Sequence, residues 1–300
     1  MNTEWIESFM HIASTGSISA AADLQYLSQS TVSSRLASLE GELGCMLVDR
    51  SRGKRQMELT TEGEKFLPIA RRMIELKNRA LSGEEQPPFL HIAAIYSMNY
   101  SFLPELYQML LDHTPPVSIR TYTNRSEDMY SLIEHGQCDF CFTTTLMNRK
   151  AVRAREIFRQ KMVVIMKNSS PGEVLHIHPH DLDPEKEIIN HSETQIIQYH
   201  DYWWKRCQRI HVDSTILLER LLAGSEEGRY WALVPVSTVS AITTPVQVYE
   251  LTAPPLLRSC YLLESVHEKP GLQRKAFFEE LDRFLSDDRI LKNYGLNTEV

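Results

Sequence analysis

The sequence lacks any long run of apolar residues. Its longest run is the five-residue segment Met162–Met166, whereas a helix that crosses a bilayer needs about 20. The start of the chain also lacks the features of a secretory signal peptide, since Glu4 stands where basic residues would be and no apolar segment follows. We therefore expect a cytoplasmic protein that does not associate with membranes.

Cysteine is scarce, with five residues in a chain of 300. An odd number of cysteines without an export signal predicts reduced thiols rather than a disulfide framework. Cys138 and Cys141 resemble half of a zinc site, but a second pair is missing and strand alternation would place these two on opposite faces. His176, His178 and His180 alternate in a loop-like stretch. We interpret them as solvated histidines and expect no bound metal.

The motifs of common enzyme classes are absent too. We find no Gly-x-Ser-x-Gly elbow, no phosphate-binding glycine loop and no His-Glu-x-x-His pair, which are the patterns that supply a nucleophile, a phosphate cradle or zinc ligands. The aromatic run 202–204 is interpreted as helix packing rather than as a ligand cage. The sequence therefore predicts neither an enzyme nor a cofactor.

A net positive charge is also missing, because the formal net charge is -7. Residues 1–83 contain ten Lys and Arg and ten Asp and Glu, so the rest of the chain carries the whole excess of -7. Since salt screens charges beyond about 10 Å, a local basic cluster can bind phosphates while an acidic second part stays away from DNA. The net charge therefore does not exclude a DNA-binding N-terminal region.

Three short helices are predicted near the start of the chain. Apolar residues recur at helical spacing over 5–13, and an alanine-rich helix follows over 17–24. Ser28 then has the position of an N-cap before a third apolar pattern over 32–43. Three helices of this length, with the last two joined by a few residues, indicate a helix-turn-helix.

A hairpin and a long helix follow. The apolar segments Met46–Val48 and Met57–Thr60 enclose a basic turn with one glycine, which predicts a wing. Thr60 or Thr61 then caps a helix that runs to about Leu81. Its apolar residues are spaced three, four, three and four, which is typical of a two-helix seam. The predicted dimerisation residues are Phe66, Ile69, Met73, Leu76 and Ala80. The alternative is packing against the chain's own N-terminal region.

The segment 82–88 is polar, ends in two prolines and predicts a domain boundary. Beyond it, strand-like and helical runs alternate, which favours a parallel sheet with helices on both faces. We expect three parts: a winged helix-turn-helix DNA-binding domain at 1–60, a linker and dimerisation helix with a hinge at 61–88, and a two-lobed effector-binding domain at 89–300. Lobe I would cover about 89–145 and 267–300, and lobe II about 166–261.

Many of these positions together resemble the LysR-type transcriptional regulators. The N-terminal match consists of Phe9, Gly16, Ser17, Ala20 to Ala22, Leu24, Leu27 to Gln29, Val32, Ser33, Leu36, Leu39, Glu40, Leu43, Gly44, Leu47, Arg50, Leu59, Thr60 and Gly63. The remainder matches more loosely. The family usually has proline at Ser30, arginine at Ser34 and glycine at Tyr230. The resemblance implies an α/β protein with an all-α winged N-terminal domain, followed by a periplasmic-binding-protein-like two-lobed domain.

Residues that face operator DNA follow from this docking mode, in which the start of the second helix of the motif enters the major groove. The predicted contacts are Gln29, Ser30, Thr31, Ser33, Ser34, Arg35, Arg50, Arg52, Lys54 and Arg55. The last four belong to the wing and would follow phosphates or a minor groove, although Arg50 could instead pair with an acid at the base of the wing. The alternative for the helix is a solvated polar face.

Effector contacts are expected between the two lobes, at the carboxyl ends of the strands. The resemblance places them in loops with hydroxyl and amide side chains, which suit a small polar or anionic effector. The predicted residues are Ser97, Met98, Asn99, Thr123, Asn124, Thr143, Thr144, Thr145, Ser192, Thr194, Gln195 and Pro235. The alternative is that they are capped loop residues.

The expected partners are double-stranded operator DNA, a small effector and further copies of the chain in a homodimer or homotetramer, with RNA polymerase as a further candidate. A second hypothesis for the switch remains open. The chain has eleven methionines and looks distantly similar to the hypochlorite-responsive branch of the family, so oxidation of Met or Cys could replace ligand binding.

Overall fold

The computed structural model describes residues 2–49, 57–82, 89–190, 193–204, 210–266 and 271–298. One compact unit comprises residues 1–87, and a second comprises most of 88–300. We call them the N-terminal domain and the C-terminal domain. The division between the two units lies between residues 87 and 88.

The first three helices of the N-terminal domain lie where the sequence indicates, with ends that differ by a few residues. They are α1 (Thr3–Thr15), α2 (Ile18–Leu24) and α3 (Gln29–Leu43). The side chains of Asn2, Ser17 and Ser28 accept a backbone N–H in the first turn of their helices, which satisfies donors that have no partner within the helix. Helices α1 and α3 end at Gly16 and Gly44 with φ of 64° and 70°, a conformation that glycine adopts without strain.

The predicted hairpin and long helix complete this domain. Strands β1 (Val48–Asp49) and β2 (Glu58–Leu59) pair antiparallel, and α4 (Thr61–Ser82) follows. Thr60 caps α4, because its hydroxyl accepts the Gly63 N–H at 3.0 Å. The core of the domain is formed by one face of each helix and by β1. Its buried members are Ile6, Phe9, Ile12, Ala21, Ala22, Val32, Leu36, Leu39, Leu47, Val48, Phe66 and Ala70.

The C-terminal domain consists of two lobes, of which the first is built on a six-stranded sheet. Its strands, in sheet order, are β14 (Leu296–Asn297), β6 (Val152–Gln160), β13 (Arg258–Ser265), β5 (Phe140–Thr143), β3 (Leu90–Ala94) and β4 (Ile119–Thr123). The associated helices are α5 (Tyr96–Tyr100), α6 (Leu103–Asp112), α7 (Met129–Glu134), α11 (Leu272–Ser286) and α12 (Asp288–Tyr294). The sheet and these helices enclose one large apolar core.

The second lobe is built on a four-stranded sheet with the order β11 (Trp231–Pro235), β7 (Met162–Lys167), β12 (Val246–Leu251) and β8 (Leu175–Ile177). Strands β9 (Ile188–Ile189) and β10 (Ile210–His211) pair beside it. Its α-helices in the described ranges are α8 (Thr194–Trp204), α9 (Thr215–Ala223) and α10 (Val236–Ala241), with 3-10 turns at Pro179–Asp181 and Pro184–Lys186. Two apolar clusters, one on each side of β7 and β11, form its core.

Two sequence predictions about this domain need correction. In the first sheet, β3, β4 and β5 form the expected parallel arrangement, whereas β6, β13 and β14 join it antiparallel. Strands β6 and β13 therefore belong to lobe I, which extends beyond residue 145 and begins again at Arg258 rather than at 267. Hydrogen bonds between segments about 100 residues apart decide that β6 and β13 belong to lobe I. Local periodicity in the sequence does not contain this information, so the sequence analysis did not predict it.

Candidate functional site

The exposed face of α3 is polar. On one face, Gln29, Ser30 and Ser34 are exposed, and Thr31 and Ser33 are half-buried. On the other face, Val32, Leu36 and Leu39 are buried in the core. This is the amphipathic division that the sequence predicts. Hydroxyls at the N-terminus of α3 hydrogen-bond one another.

Two of the predicted DNA contacts are held by partners in the same domain. The Gln29 amide donates to the Ser19 hydroxyl at 2.9 Å, and the Arg35 guanidinium pairs with Glu4 on α1 at 2.5 Å. Arg35 therefore has to leave Glu4 before it can contact a base. The predicted wing contacts Arg50, Arg52, Lys54 and Arg55 lie outside the described residues.

Sequence reasoning gave no role to the contacts at the base of the wing. Glu40, which is buried, accepts the N–H groups of Leu47 and Val48 through Oε1 at 2.9 and 3.3 Å. A Cβ atom on Gly63 would lie 2.0 Å from the Leu47 carbonyl oxygen. The start of α4 thus passes so close to the strand that only glycine fits, and this fixes the wing relative to α3.

Helix α4 divides the predicted dimer seam between two environments. Phe66 is buried and its ring lies 5.6 Å from that of Phe9, and Met73 packs against the same core. These two residues pack within the N-terminal domain itself, as the alternative interpretation of this helix expects. Ile69 and Leu76 are about half exposed, at 53% and 52%. The side chain of Ala80 lies outside the described residues.

A charged pair lies between the two lobes of the C-terminal domain. Arg258, at the start of β13, is only 6% exposed, and its Nε and Nη2 donate to the same oxygen of Glu193 at 2.9 and 2.5 Å. Nη2 also donates to the Ser97 hydroxyl at 3.1 Å, and the Thr144 hydroxyl donates to Glu193 at 3.3 Å. Two predicted effector residues, Ser97 and Thr144, thus meet at one ion pair.

Two buried polar atoms at this pair, Nη1 of Arg258 and Oε1 of Gln160, lack a hydrogen-bond partner within the described ranges. Gln160 and Arg258 are directly opposite each other on β6 and β13. The Gln160 amide reaches Cys260 at 3.5 Å, so it lies on the same strand face as Arg258. Buried donors and acceptors without partners are uncommon in folded proteins, and a ligand that binds here could satisfy them.

The other predicted effector residues occupy different environments. Met98 and Thr143 have no exposed surface, so their side chains do not face a ligand in this arrangement. Met98 belongs to the lobe I core, and the Thr143 hydroxyl accepts the N–H of Thr145. The Asn99 amide N–H donates to the Thr123 hydroxyl at 2.8 Å, and its oxygen accepts the Tyr107 hydroxyl at 2.6 Å, so Asn99 connects α5 to β4 and α6.

The remaining predicted residues are more scattered. Asn124 follows β4, where its N–H donates to Ala94. Thr194 and Gln195 are exposed in the first turn of α8, and Pro235 is buried at the end of β11. Ser192 lies outside the described residues.

A second pair connects the lobes through Tyr100 and Glu219. The Tyr100 hydroxyl donates to Glu219 at 2.5 Å, and the same carboxylate accepts the N–H groups of Thr243 and Thr244 at 2.8 and 2.9 Å. Burial by itself raises the pKa of Glu219, but these hydrogen bonds outweigh it and lower the pKa to about 2. Burial and the adjacent carboxylate raise the pKa of Tyr100. Glu219 is therefore ionised and already supplied with donors.

The buried cysteines are placed differently from the prediction. Cys138 precedes β5 rather than lying in it, so strand alternation does not relate it to Cys141, whose thiol it is close enough to influence. Burial, with this contact, raises the pKa of Cys141, and burial raises the pKa of Cys260 to about 12. Cys207 lies outside the described residues. Thiols with raised pKa values contain little thiolate and react slowly with oxidants.

Membrane-spanning helices and clusters of metal-binding side chains are both absent from the described part of the chain. Within it, no helix is both long and apolar enough to cross a membrane, and no group of three or more His, Cys, Asp or Glu side chains is arranged to hold a metal ion.

Comparison with known proteins links these domains to characterised sequences. The model of the bacterial regulatory helix-turn-helix protein, lysR family, matches residues 3–64, and that of the LysR substrate binding domain matches residues 84–285. The chain is 26% identical over 179 residues to a probable nitrogen assimilation transcriptional activator of Synechocystis, with 57% of each protein covered. It is 22% identical over 256 residues to the regulator CitR of Bacillus subtilis, covering 80% of this chain and 84% of CitR.

A further relative is a probable hydrogen peroxide-inducible genes activator of Mycobacterium leprae, which is 26% identical over 171 residues and covers 55% of this chain and 54% of that protein. Several of these matches thus span little more than half the length of the relatives. Among solved structures, full-length CbnR in complex with its target DNA has a TM-score of 0.65 at 21% identity and covers 94% of this chain and 99% of CbnR. That similarity concerns the fold. Because the two family models together cover most of the chain, the protein belongs to the LysR family of bacterial regulatory helix-turn-helix proteins.

Proposed function

We propose that this protein is a sequence-specific transcriptional regulator and not an enzyme. Its N-terminal domain binds double-stranded operator DNA, and its C-terminal domain binds a small polar or anionic effector between the lobes. The observation that supports DNA binding best is the exposed polar turn at the start of α3, with Gln29, Ser30 and Ser34 unburied. A helix with a polar N-terminal turn, displayed by two supporting helices and a wing, suits the major groove. Such a regulator acts in the cytoplasm, where chromosomal DNA lies.

The roles of the residues near DNA differ. Gln29 suits adenine by its bidentate geometry, and the serines suit base edges or phosphates. Arg35 supports the helix through Glu4 until DNA competes for it. Tyr26, in the turn before α3, is 97% exposed and is a candidate phosphate contact that sequence reasoning did not identify. The wing residues Arg50, Arg52, Lys54 and Arg55 remain predicted phosphate or minor-groove contacts.

We propose that the protein binds its operator as a homodimer. One bidentate base contact contributes about 1–3 kcal/mol of discrimination, whereas specific sites are bound with about −11 to −15 kcal/mol. Two copies of the N-terminal domain on a two-fold operator reach this range more readily than one. Ile69 and Leu76 on α4 form the proposed seam, because both are half exposed. A homotetramer and a contact with RNA polymerase are compatible with the same arrangement.

The effector site is proposed at Arg258, Ser97 and Thr144, where a buried guanidinium N–H lacks a partner in the described structure. The oxidation hypothesis draws support from relatives whose names refer to hydrogen peroxide. Against it, Cys138, Cys141 and Cys260 are buried, and the pKa values of the latter two are raised. We therefore favour ligand binding as the switch.

The DNA-binding half is tested by selecting operators from a random double-stranded pool with the full chain. Gln29→Ala combined with Ser34→Ala is expected to bind the selected operator about tenfold more weakly and to alter the preferred bases. Glu62→Gln, an exposed change in the first turn of α4, is the control and should behave as wild type. Unchanged affinity and base preference in the double variant would contradict the assignment of α3.

The effector half is tested by a separate pair of changes. Ser97→Ala combined with Thr144→Val removes two hydroxyls from the Arg258 and Glu193 pair and should abolish the transcriptional response in the host. Operator binding and oligomeric state should stay as in wild type. A normal response in this variant would place the effector site elsewhere.

A further inference from the structure

The Arg258 and Glu193 pair is asymmetric in burial. Arg258 is 6% exposed and Glu193 is 17% exposed. A guanidinium with so little contact with water requires a counter-ion, because an unpaired buried charge is strongly destabilising. In the described parts of the domain, Glu193 is the carboxylate that contacts this guanidinium. The free protein therefore needs Glu193, or another anion in its place.

The geometry of the pair leaves part of the guanidinium unused. Arginine and a carboxylate pair most specifically when two N–H groups meet two oxygens, whereas here Nε and Nη2 both donate to Oε1 of Glu193. Nη1 is buried and lacks a partner in the described structure. A carboxylate that enters the cleft could accept from two nitrogens of Arg258 with separate oxygens and would also reach the Ser97 hydroxyl.

The local backbone permits an exchange of carboxylates. Glu193 immediately precedes α8 and lies outside any helix or strand, while Arg258 lies in β13, where it is paired with Gln160 of β6. The additional contact of Glu193 with Thr144 is long, at 3.3 Å. The backbone carbonyl of Glu193 accepts the N–H groups of Ile196 and Ile197, each at 3.0 Å, so the exchange turns only the Glu193 side chain, which is more exposed than that of Arg258.

Resting on the proposed function, we propose that Glu193 is a built-in competitor for the effector. The effector carries a carboxylate, which displaces Glu193 from Arg258 and takes over its charge. Exchange of one carboxylate for another keeps the buried site electrically neutral. An uncharged ligand would leave the ion pair in place, and the only new contact it could make with Arg258 is a hydrogen bond from Nη1. Because Glu193 starts α8 of lobe II and Arg258 belongs to lobe I, the exchange also removes one ionic connection between the lobes, which links occupancy to their arrangement.

The test uses acetate as the probe and the full chain without DNA. In Glu193→Ala, acetate should raise the Tm in a saturable manner and bind at least about tenfold more tightly than to wild type, because a charge-assisted contact is no longer contested. Acetamide, which has the same shape without the charge, should have no effect. The double variant Glu193→Ala with Arg258→Gln should not respond to acetate, which ties any gain to the guanidinium.

Glu193→Gln keeps the shape and most contacts of the side chain and provides the same measurement if the alanine variant does not fold. Acetate binding that is no tighter in either variant than in wild type, or that persists without Arg258, would overturn the proposal. Failure of the proposed function would give a different pair of results. Acetate would still bind at Arg258, but the Ser97→Ala and Thr144→Val double variant would respond normally in the host.

Discussion

The two domains present their functional side chains in opposite ways. In the N-terminal domain the candidate DNA contacts Gln29, Ser30 and Ser34 are exposed, and the structure below them is fixed by caps and close packing. In the C-terminal domain the candidate site is a buried ion pair whose members are 65 residues apart in the chain. A surface that reads DNA needs accessible polar groups on a rigid helix, whereas a small-molecule site gains from polar groups withdrawn from water, where their interactions are stronger.

The largest effect is expected from breaking the rigid support of the N-terminal domain. Gly63→Ala places a methyl group 2.0 Å from the Leu47 carbonyl oxygen, so the backbone must shift, at a cost of about 3 kcal/mol. Operator binding should be lost, while unfolding of the C-terminal domain stays unchanged, as measured by calorimetry on the full chain.

The matched control is Gly41→Ala in α3, where an added methyl group meets no atom within 4 Å. It should stabilise the N-terminal domain by about 0.5–1 kcal/mol, because alanine favours a helix over glycine. Equal stability of the Gly63→Ala variant and wild type would show that the contact at the base of the wing is not required.

A smaller effect separates the two environments on α4. Leu76→Glu changes a half-exposed residue and should abolish dimerisation and cooperative operator binding with little change in domain stability. Met73→Glu puts a charge against the core and should lower the stability of the N-terminal domain by about 2 kcal/mol. Sedimentation and thermal unfolding distinguish the two, and a dimeric Leu76→Glu protein would refute the proposed seam.

The smallest effect concerns pH and the C-terminal domain alone. Buried His200 lies 2.6 Å from Glu187, and this hydrogen bond raises the pKa of His200 above 6.5, although burial opposes it. A raised folded-state pKa means that the pair stabilises fully below pH 6.5 and that this contribution is lost as the pH rises through the folded-state value. In His200→Gln the decline of the Tm above that pH should be flatter. An identical pH dependence in both proteins would contradict this role.

The sequence determined the N-terminal domain almost completely. The three helices, the cap at Ser28 and the hairpin were all predicted, because each depends on residues a few positions apart. The segments that contain Ser97 and Thr144 follow β3 and β5, as the sequence indicated, although Ser97 lies in the short helix α5 and not in a loop. Their role in effector binding stays a prediction.

Only the tertiary structure decided which of these residues form one site. Arg258 pairs with Glu193 and contacts Ser97, which lies 161 residues away, and no periodicity in the sequence records a contact across such a distance. Likewise, Met98 and Asn99 are neighbours in one predicted loop, but Met98 is buried in the core, whereas the Asn99 side chain hydrogen-bonds Thr123 of β4. Packing of α4 similarly assigned Phe66 to the domain core and left Ile69 exposed. Local sequence patterns determine the helices and strands. Burial and pairing between distant segments determine which side chains remain available to bind DNA or an effector.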